Sequence, residues 1–257
     1  TLPLCGMGKV YPLRIIMANS SKFLIIIPAY NEAENIPSLI EEIREYFPAG
    51  TRDILIVDDG SSDRTRDVAR ASNVKVITLP FNLGYGDALQ TGYKYALRNG
   101  YDFVVQMDGD GQHDPAYIKS LLDRVMDDEA DIALGSRFLG ESQVYKMGVL
   151  RRIGSIFFSI IASMITGQRI TDPTSGFQAM NKKVFSFYAL DIYPSDFPDA
   201  DVIILSKFYG FRIKEVPVRM RESKGKKSMH SGLKPMYYVF KMVLSILVTI
   251  LRNKPKG

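Results

Sequence analysis

Two aspartates one residue apart, Asp108 and Asp110, follow directly on an apolar run at 101–107 and precede Gln112. A strand that ends in this way places both carboxylates at its carboxyl edge, where open α/β sheets hold their ligands. Two carboxylates this close repel each other unless a cation lies between them. Oxygen ligands suit Mg²⁺ or Mn²⁺, so the pair predicts a divalent metal site, with a solvated acidic turn as the alternative.

Two further polar clusters follow the first two predicted strands. In the first, at 28–32, Tyr30 could stack on a base, and Glu32 or Asn31 could bond ribose or base edges. In the second, at 57–63, Asp58 stands at a strand end, where an acidic side chain accepts hydrogen bonds from ribose hydroxyls. Either cluster could instead be a turn that caps the helix after it.

A glycine-rich turn at 82–88 precedes another predicted helix. Its glycines, among them Gly84, would let the N-terminus of that helix approach a phosphate. The spacing matches neither the G-x-G-x-x-G dinucleotide motif nor the G-x-x-x-x-G-K-S/T phosphate loop, so neither of those two interpretations applies.

Apolar runs and helical stretches alternate along the first half of the chain. We predict strands near 23–27, 53–58, 74–79, 101–107 and 131–134. We predict helices near 33–47, 63–71, 85–98 and 115–127. Short apolar strands separated by helices indicate an α/β fold with a parallel sheet covered on both faces. Beyond about residue 140 we predict an apolar helix at 149–166, a short strand at 176–180, a helix near 200–209 and a strand near 211–218.

The last predicted helix, 236–251, is shorter than the roughly 20 residues that span a bilayer. Its polar residues Lys241, Ser245 and Thr249 recur every four positions and form a stripe. The helix is therefore predicted to be amphipathic and to lie on a membrane or dock to a partner. Burial against the protein's own core is the alternative.

Composition and charge narrow the class of protein. Of 257 residues, 46% are apolar and 24% charged, which is ordinary for a globular protein. The single cysteine, Cys5, excludes an internal disulfide, and no Cys/His spacing suits structural zinc. Residues 219–257 hold ten lysines and arginines against one acid, which is +9, so with +5 overall the rest of the chain carries −4. The apolar and aromatic helix within this basic region favours a lipid surface over nucleic acid.

In order and spacing, the clusters between residues 23 and 221 resemble glycosyltransferase family 2, whose members have the GT-A fold. Closer matches resemble its polyprenyl-phosphate branch, the dolichol-phosphate-mannose-synthase-like enzymes. These matches are Asp108-x-Asp110-x-Gln112-His113-x-Pro115, Gly135-Ser136-Arg137-Phe138, Asp172-Pro173-x-Ser175-Gly176-Phe177 and Gly210-Phe211-x-Ile213-x-Glu215-Val216-Pro217-Val218. Each motif is weak alone, and together in this order they are highly specific.

Carried over by position, the resemblance implies a role for each motif residue. The nucleotide would be held by Pro28, Tyr30, Glu32, Asp58 and Asp108, to which the glycine-rich turn adds Gly84. The divalent cation and the donor diphosphate would be held by Asp108, Asp110 and Gln112. The phosphate of the acceptor would be held by Arg137, Arg151 and Ser155. Arg151 and Ser155 are four positions apart and so share one helix face.

The acceptor decides whether a general base is needed. A lipid phosphate is already ionised near neutral pH and needs none, whereas a sugar hydroxyl would need one. Asp199 and Asp201 are the candidates for that base, with helix capping as their alternative role. Attack opposite the leaving group would invert the anomeric centre. The predicted catalytic set is Asp108, Asp110, Arg137 and Asp201.

Of the two histidines, we expect His113 to support the metal ligands and His230 to belong to a basic flap at 219–232. We divide the chain into a poorly ordered leader at 1–20, a GT-A catalytic domain at 21–222, and a basic loop with a membrane-facing or oligomerisation helix at 223–257.

The predicted function is metal-dependent, inverting transfer of a sugar from a UDP- or GDP-sugar to undecaprenyl or dolichyl phosphate. The protein would act peripherally at the cytoplasmic face of the membrane, as a homo-oligomer or with a small membrane partner, and without nucleic acid. One alternative is transfer to a glycan hydroxyl. Another is a non-catalytic, membrane-docked protein that binds a nucleotide sugar.

Overall fold

The computed structural model describes residues 22–48, 52–140, 149–195, 198–221 and 234–251. The strands in these ranges are β1 (Phe23–Ala29), β2 (Asp53–Asp58), β3 (Lys75–Thr78), β4 (Phe103–Gln106), β5 (Ile132–Ser136), β6 (Gln178–Asn181) and β7 (Ile213–Pro217). The helices are α1 (Ile36–Tyr46), α2 (Thr65–Ala71), α3 (Tyr85–Arg98), α4 (Ile118–Met126), α5 (Val149–Thr166), α6 (Lys182–Tyr188), α7 (Ala200–Phe208) and α8 (Lys234–Leu251). The predicted leader and most of the basic flap, including His230, lie outside the described residues.

The seven described strands form one sheet in the order β3-β2-β1-β4-β6-β5-β7. Pairing is parallel between β1 and β2, β1 and β4, β2 and β3, and β5 and β7. Among the described strands only β6 runs antiparallel to its neighbours, and it lies between β4 and β5. The predicted α/β class with a mostly parallel sheet is therefore confirmed.

The sequence pattern does not predict helix α6, which follows β6 without a loop. Asn181 both ends β6 and caps α6, because its side chain accepts a hydrogen bond from the amide of Val184 at 3.3 Å. An asparagine N-cap is a recognised start signal for a helix. The helix that follows has only seven residues, which is too short to display a clear period.

Helices cover both faces of the sheet because successive residues of each strand point to opposite sides. Leu24 and Ile26 of β1 pack into a core formed with α3, α5, α6, α7 and α8. Ile25 and Ile27 pack into a second core formed with α1, α2 and α4. The continuous apolar runs of the sequence therefore correspond to strands that are buried on both faces.

The loops that carry Asp58, Asp108, Arg137 and Asp172 meet at one edge of the sheet. Gln178, at the start of the antiparallel β6, pairs with Gln106 at the end of β4 and with Leu134 near the end of β5. The loops that follow β4 and β5 and the loop that precedes β6 thus lie together. They join the loops after β1 and β2, where the amide of Asp59 donates to the carbonyl of Ala29 at 2.9 Å.

Helix α8 packs on the core along its polar stripe and directs its broader apolar face outward. Met242, Ile246 and Thr249 are buried, and the hydroxyl of Ser245 donates to Asp201 of α7. The exposed apolar side chains of α8 include Phe240, Leu244, Leu247 and Leu251. The stripe of Lys241, Ser245 and Thr249 thus faces the protein's own core, which is the alternative to a helix that contacts only a membrane or a partner.

Helix α5 has a similar arrangement. It buries Phe158 and Ala162, while its exposed apolar face is formed by Ile153, Ile156, Phe157, Ile160 and Met164. Among the helices of the described ranges, none combines the length and apolarity that crossing a bilayer requires.

Candidate active site

Asp108, directly beyond β4, is oriented by two neighbours. Its Oδ1 accepts a hydrogen bond from the Tyr85 hydroxyl at 2.6 Å, and its amide donates to Nδ1 of His113 at 2.9 Å. His113 is fully buried and stacks on Phe177 with ring centroids 4.8 Å apart. Because Nδ1 accepts, the proton of the neutral imidazole lies on Nε2, which is 3.7 Å from Oδ2 of Asp108. The Asp108 side chain keeps 32% of its surface exposed, so it can still reach a ligand.

Asp110 is held by Gln112 within the same loop. Its Oδ1 accepts from the backbone amide of Gln112 at 2.9 Å, and its Oδ2 accepts from the side-chain Nε2 at 2.5 Å. Burial and then the charge of Asp108 raise the pKa of Asp110. The repulsion between the two carboxylates that the sequence predicted is therefore present in the fold, and a cation would relieve it.

The loops after β1 and β2 interlock through Asn31. Its backbone is left-handed, with φ 57°, and its Oδ1 accepts from the amides of Ser62 at 2.9 Å and Asp63 at 3.2 Å. The amide of Glu32 donates to Thr65 Oγ1 at 2.8 Å. These bonds join the two loops to each other, and the N-cap residue of α1, Asn35, makes no side-chain capping hydrogen bond.

The side chains expected to bind a nucleotide lie around this junction. Tyr30 is 45% exposed, whereas Asp58 is buried and its Oδ1 accepts from the amide of Ser61 at 3.1 Å. Pro28 is buried at the end of β1, and the Glu32 carboxylate accepts from Asn35 at 2.6 Å. The nucleotide-binding roles of Pro28, Tyr30, Glu32 and Asp58 stay predictions.

The amides of the glycine-rich turn already have acceptors within the protein. Gly84 donates to the carboxylate of Asp59 at 3.0 Å, and Gly86 and Asp87 donate to the carbonyl of Ser195 at 2.8 and 3.3 Å. A Cβ on Gly86 would lie 2.0 Å from the carbonyl oxygen of Pro194. A phosphate-binding role of Gly84 and this helix N-terminus stays a prediction, and Gly86 allows the close approach of the 194–195 backbone.

Arg137, just beyond β5, forms a buried ion pair. Its Nε and one terminal nitrogen contact the two oxygens of Asp172 at 2.6 Å each, and the same terminal nitrogen donates to Thr174 at 2.9 Å. The side chains of Arg137 and Asp172 are 4% and 0% exposed. Glu215 accepts hydrogen bonds from the amides of Thr171 and Asp172 at 2.9 Å and so holds the other side of this loop. In this geometry Arg137 positions the 171–174 loop, and direct contact with an acceptor phosphate stays a prediction.

The two other acceptor residues lie on α5. Ser155 is buried, and its hydroxyl has no hydrogen-bond partner among the described residues. Arg151 lies one turn earlier, and its side chain is outside the described part of the structure. An unsatisfied buried hydroxyl is unfavourable, so Ser155 is a position where a ligand oxygen would be stabilising.

Asp201 is buried in the first turn of α7. Its carboxylate accepts from the amides of Asp199 at 3.0 Å and Val202 at 2.8 Å and from Ser245 of α8. Burial raises the pKa of Asp201. These contacts match the helix-capping alternative, and a role of Asp201 or Asp199 as a general base stays a prediction.

The sequence model of glycosyl transferase family 2 matches residues 24–188. The chain belongs to this family. It is 31% identical over 220 residues to an undecaprenyl-phosphate mannosyltransferase of Micrococcus luteus, covering 82% of this chain and 89% of the relative. It is 32% identical over 231 residues to a polyprenol monophosphomannose synthase of Mycolicibacterium smegmatis, covering 87% and 86%.

A solved structure supports the fold of this family 2 glycosyltransferase. Glucosyl-3-phosphoglycerate synthase from Mycobacterium tuberculosis, crystallised with Mn²⁺ and UDP-glucose, superposes with a TM-score of 0.69 at 19% identity. The superposition covers 93% of this chain and 82% of that one. The predicted GT-A fold is thereby confirmed.

Asp108, Asp110 and Gln112 form a donor set that this glycosyltransferase could use for a divalent cation. In the described ranges no three His, Cys, Asp or Glu side chains converge as metal ligands. The predicted set consists instead of two carboxylates and one side-chain amide. Such oxygens suit Mg²⁺ or Mn²⁺, which take further ligands from water and phosphate. In the structure the side-chain Nε2 of Gln112 points at Asp110. Rotating the amide group by half a turn would point its Oε1 there instead. A cation between the oxygens would stabilise that orientation. The residues therefore fit the ion.

Sequence reasoning assigned no site role to Asp59, Asp172 or Gly176, and none to the hydroxyl of Tyr85. Asp59 organises the glycine-rich turn, and Asp172 pairs with Arg137. Tyr85 and Gly176 both lie against Asp108. Asp172 and Gly176 belong to the motif at 172–177, which could have indicated their place in the site. No local sequence pattern connects Tyr85 with Asp108.

Proposed function

We propose that this glycosyltransferase moves a sugar from a nucleotide-sugar donor to a polyprenyl phosphate, with inversion and with Mg²⁺ or Mn²⁺. The acceptor is taken from the two relatives whose names contain undecaprenyl phosphate and polyprenol. The observation that carries the proposal is the acidic pair at the carboxyl edge, where burial and mutual repulsion raise the pKa of Asp110. Such a pair favours a cation and, through it, a diphosphate.

The donor half of the site would use the loops after β4, β1 and β2. The cation would be held by Asp108, Asp110 and Gln112. When bound, it neutralises the charge that develops on the nucleoside diphosphate as the sugar–phosphate bond breaks. Tyr30, exposed at the rim, would stack on the base, while Asp58 and Glu32 would accept hydrogen bonds from the nucleoside.

The acceptor half would receive an anion that is already a nucleophile. A lipid phosphate is ionised near neutral pH, so it needs positioning rather than a general base. Arg151 and Ser155, one turn apart on α5, would hold that phosphate. The hydroxyl of Ser159 ties α5 to the loop that leads to Asp172, by donating to the carbonyl of Ile170 at 2.6 Å. Attack from the side opposite the diphosphate would invert the anomeric centre.

The apolar faces of α5 and α8 would rest on the cytoplasmic face of the membrane. Exposed apolar patches of this kind mark surfaces that contact lipid or a partner. The basic residues of 219–257 would add attraction to anionic lipid headgroups. A peripheral position at this surface would bring a polyprenyl phosphate to the site.

A panel of donors and acceptors tests this function. UDP- and GDP-sugars would be incubated with Mn²⁺ or Mg²⁺ and either a short polyprenyl phosphate or a soluble glycan. We expect transfer to the polyprenyl phosphate, loss of transfer with a chelator, and an inverted anomeric configuration in the product. Transfer to the glycan alone would overturn the proposed acceptor, and full turnover in the chelator would overturn the metal.

A further inference from the structure

A buried chain of hydrogen bonds leads from the core to Asp108. The Tyr93 hydroxyl donates to Oε1 of Gln106 at 2.5 Å, and Nε2 of Gln106 donates to the Tyr85 hydroxyl at 3.2 Å. The Tyr85 hydroxyl in turn donates to Oδ1 of Asp108 at 2.6 Å. Gln106 and Tyr93 are 2% and 0% exposed, so water cannot readily replace these partners.

The direction of this chain is set by chemistry. A tyrosine hydroxyl has one proton, and the Tyr93 proton goes to the amide oxygen of Gln106. The amide nitrogen of Gln106 must then donate, so the Tyr85 oxygen accepts and its own proton is left for Asp108. Each hydrogen bond of the chain is therefore donated in the direction of Asp108, and bonds that follow one another in this way strengthen each other.

The position of Gly176 leaves no room for a side chain beside this pair. A Cβ on Gly176 would lie 2.8 Å from the Tyr85 hydroxyl and 3.2 Å from Oδ1 of Asp108. The glycine of the Ser175-Gly176-Phe177 turn thus lies directly against the hydrogen bond. The backbone of Asp108 is held separately, by His113.

We propose that Tyr85 is a positioning residue of the donor site, which occupies Oδ1 of Asp108 and leaves Oδ2 as the atom offered to the metal ion. This inference rests on the proposed function, because it concerns the ion that the acidic pair would hold. Without the hydroxyl, the carboxylate would be free to rotate and would lose a hydrogen bond to its charged form. Groups that orient a metal ligand typically change metal affinity or activity by about 10- to 100-fold.

The test compares Tyr85→Phe with a matched variant at the opposite edge of the sheet. Tyr101 donates to Oδ2 of Asp53 at 2.6 Å, which is the same bond between the same groups and of the same length. Asp53 begins β2, so this pair lies at the amino edge, away from the acidic loop. Tyr101→Phe therefore reproduces the loss of a tyrosine–aspartate bond without touching the donor site.

Mn²⁺ affinity would be measured by calorimetric titration in the presence of UDP or GDP, whichever the wild type binds. We expect Tyr85→Phe to bind Mn²⁺ about 10- to 100-fold more weakly and Tyr101→Phe to bind within about twofold of wild type. Melting temperatures would show that both variants are folded. The near-ultraviolet tyrosine difference spectrum on adding Mn²⁺ and nucleotide should persist in Tyr101→Phe and diminish in Tyr85→Phe.

Equal Mn²⁺ affinity in wild type and Tyr85→Phe would overturn the positioning role while leaving the metal site intact. Equal weakening in both tyrosine variants would also overturn it, because the effect would then be one of general stability. If the wild type binds no Mn²⁺ with either nucleotide, the proposed function itself fails and this inference fails with it.

Discussion

Asp110 carries the energetic cost of the acidic pair. Burial and the charge of Asp108 raise its pKa, which means that the fold holds the ionised carboxylate less favourably than water does. A side chain that lowers the stability of the folded protein is typical of a functional site, where stability is given up for ligand binding. This opposition between stability and function can be measured.

Asp110→Asn should keep or raise the melting temperature while reducing sugar transfer by about 100- to 1000-fold. The amide has the shape of the carboxylate but neither repels Asp108 nor neutralises a cation. Differential scanning fluorimetry and the transfer assay would give the two quantities, with Asp127→Asn, at the exposed end of α4, as the control. A variant with unchanged turnover would remove Asp110 from the proposed metal site.

Asp201→Asn distinguishes the two kinds of acceptor. Removing a general base typically costs about 100- to 10,000-fold in rate, whereas removing a helix cap costs stability. With a polyprenyl phosphate we expect turnover within about tenfold of wild type. Because burial raises the pKa of Asp201 and an asparagine oxygen still accepts a hydrogen bond, the melting temperature should stay close to that of wild type. A loss of transfer in the range of a missing base, at an unchanged melting temperature, would return Asp201 to the catalytic set.

At the scale of elements, Asp131 joins three strands at the amino edge of the sheet. It immediately precedes β5, and its carboxylate accepts from Asn181 at the end of β6 at 2.7 Å. It also accepts from the amide of Arg212, just before β7, at 2.9 Å and from its Nε at 3.1 Å. Burial alone would raise the pKa of Asp131, but these hydrogen bonds outweigh it and lower the pKa to about 2.

Stability should therefore depend on the ionisation of Asp131. Because the folded pKa is below the unfolded value of about 3.9, this contribution is complete above that pH and is lost as pH falls toward 2. We expect it to be about 1–2 kcal/mol, reduced by solvent around the half-exposed Arg212. Urea unfolding of wild type and Asp131→Asn at pH values about one unit apart, from about pH 5 to about pH 2, would measure this contribution. Parallel pH profiles would contradict the assignment, and Mn²⁺ affinity should not change.

Over the whole molecule, the exposed apolar faces of α5 and α8 belong to helices on the same side of the sheet, because both bury their other residues in the core of α3, α6 and α7. Helices α1, α2 and α4 cover the opposite side. A flat lipid surface can contact only one side of the molecule at a time. The proposed membrane face can therefore be tested by comparing substitutions on the two sides of the sheet.

Replacing Ile156 and Ile160 together by serine should weaken binding to anionic lipid vesicles by roughly 10- to 30-fold, since each half-exposed side chain loses about 1 kcal/mol of burial. Tyr46→Ser is the control, because Tyr46 is 50% exposed like Ile156 but ends α1 on the opposite side of the sheet. Vesicle flotation gives the partition, and nucleotide binding should be unaffected. Equal loss in both variants, or none in the double variant, would contradict the proposed face.

The sequence by itself determined the class of fold and the edge at which the site lies. Apolar strands separated by helices typically run parallel, and parallel strands share one carboxyl edge, so Asp58 and Asp108 were expected on the same side, as the parallel pairing of β1 with β2 and β4 confirms. The acidic pair and its repulsion followed from a spacing of two residues. These features depend on neighbours along the chain, which a sequence displays directly.

Only the tertiary structure decided which polar groups meet across that edge. Tyr85 lies 23 positions from Asp108, and Arg137 lies 35 positions from Asp172, so no local period records either pair. The antiparallel direction of β6 and the inward orientation of the polar stripe of α8 likewise depend on contacts between distant parts of the chain. Periodicity reports which residues share a helix face, but whether that face packs inward depends on a partner such as Asp201, which the fold alone supplies.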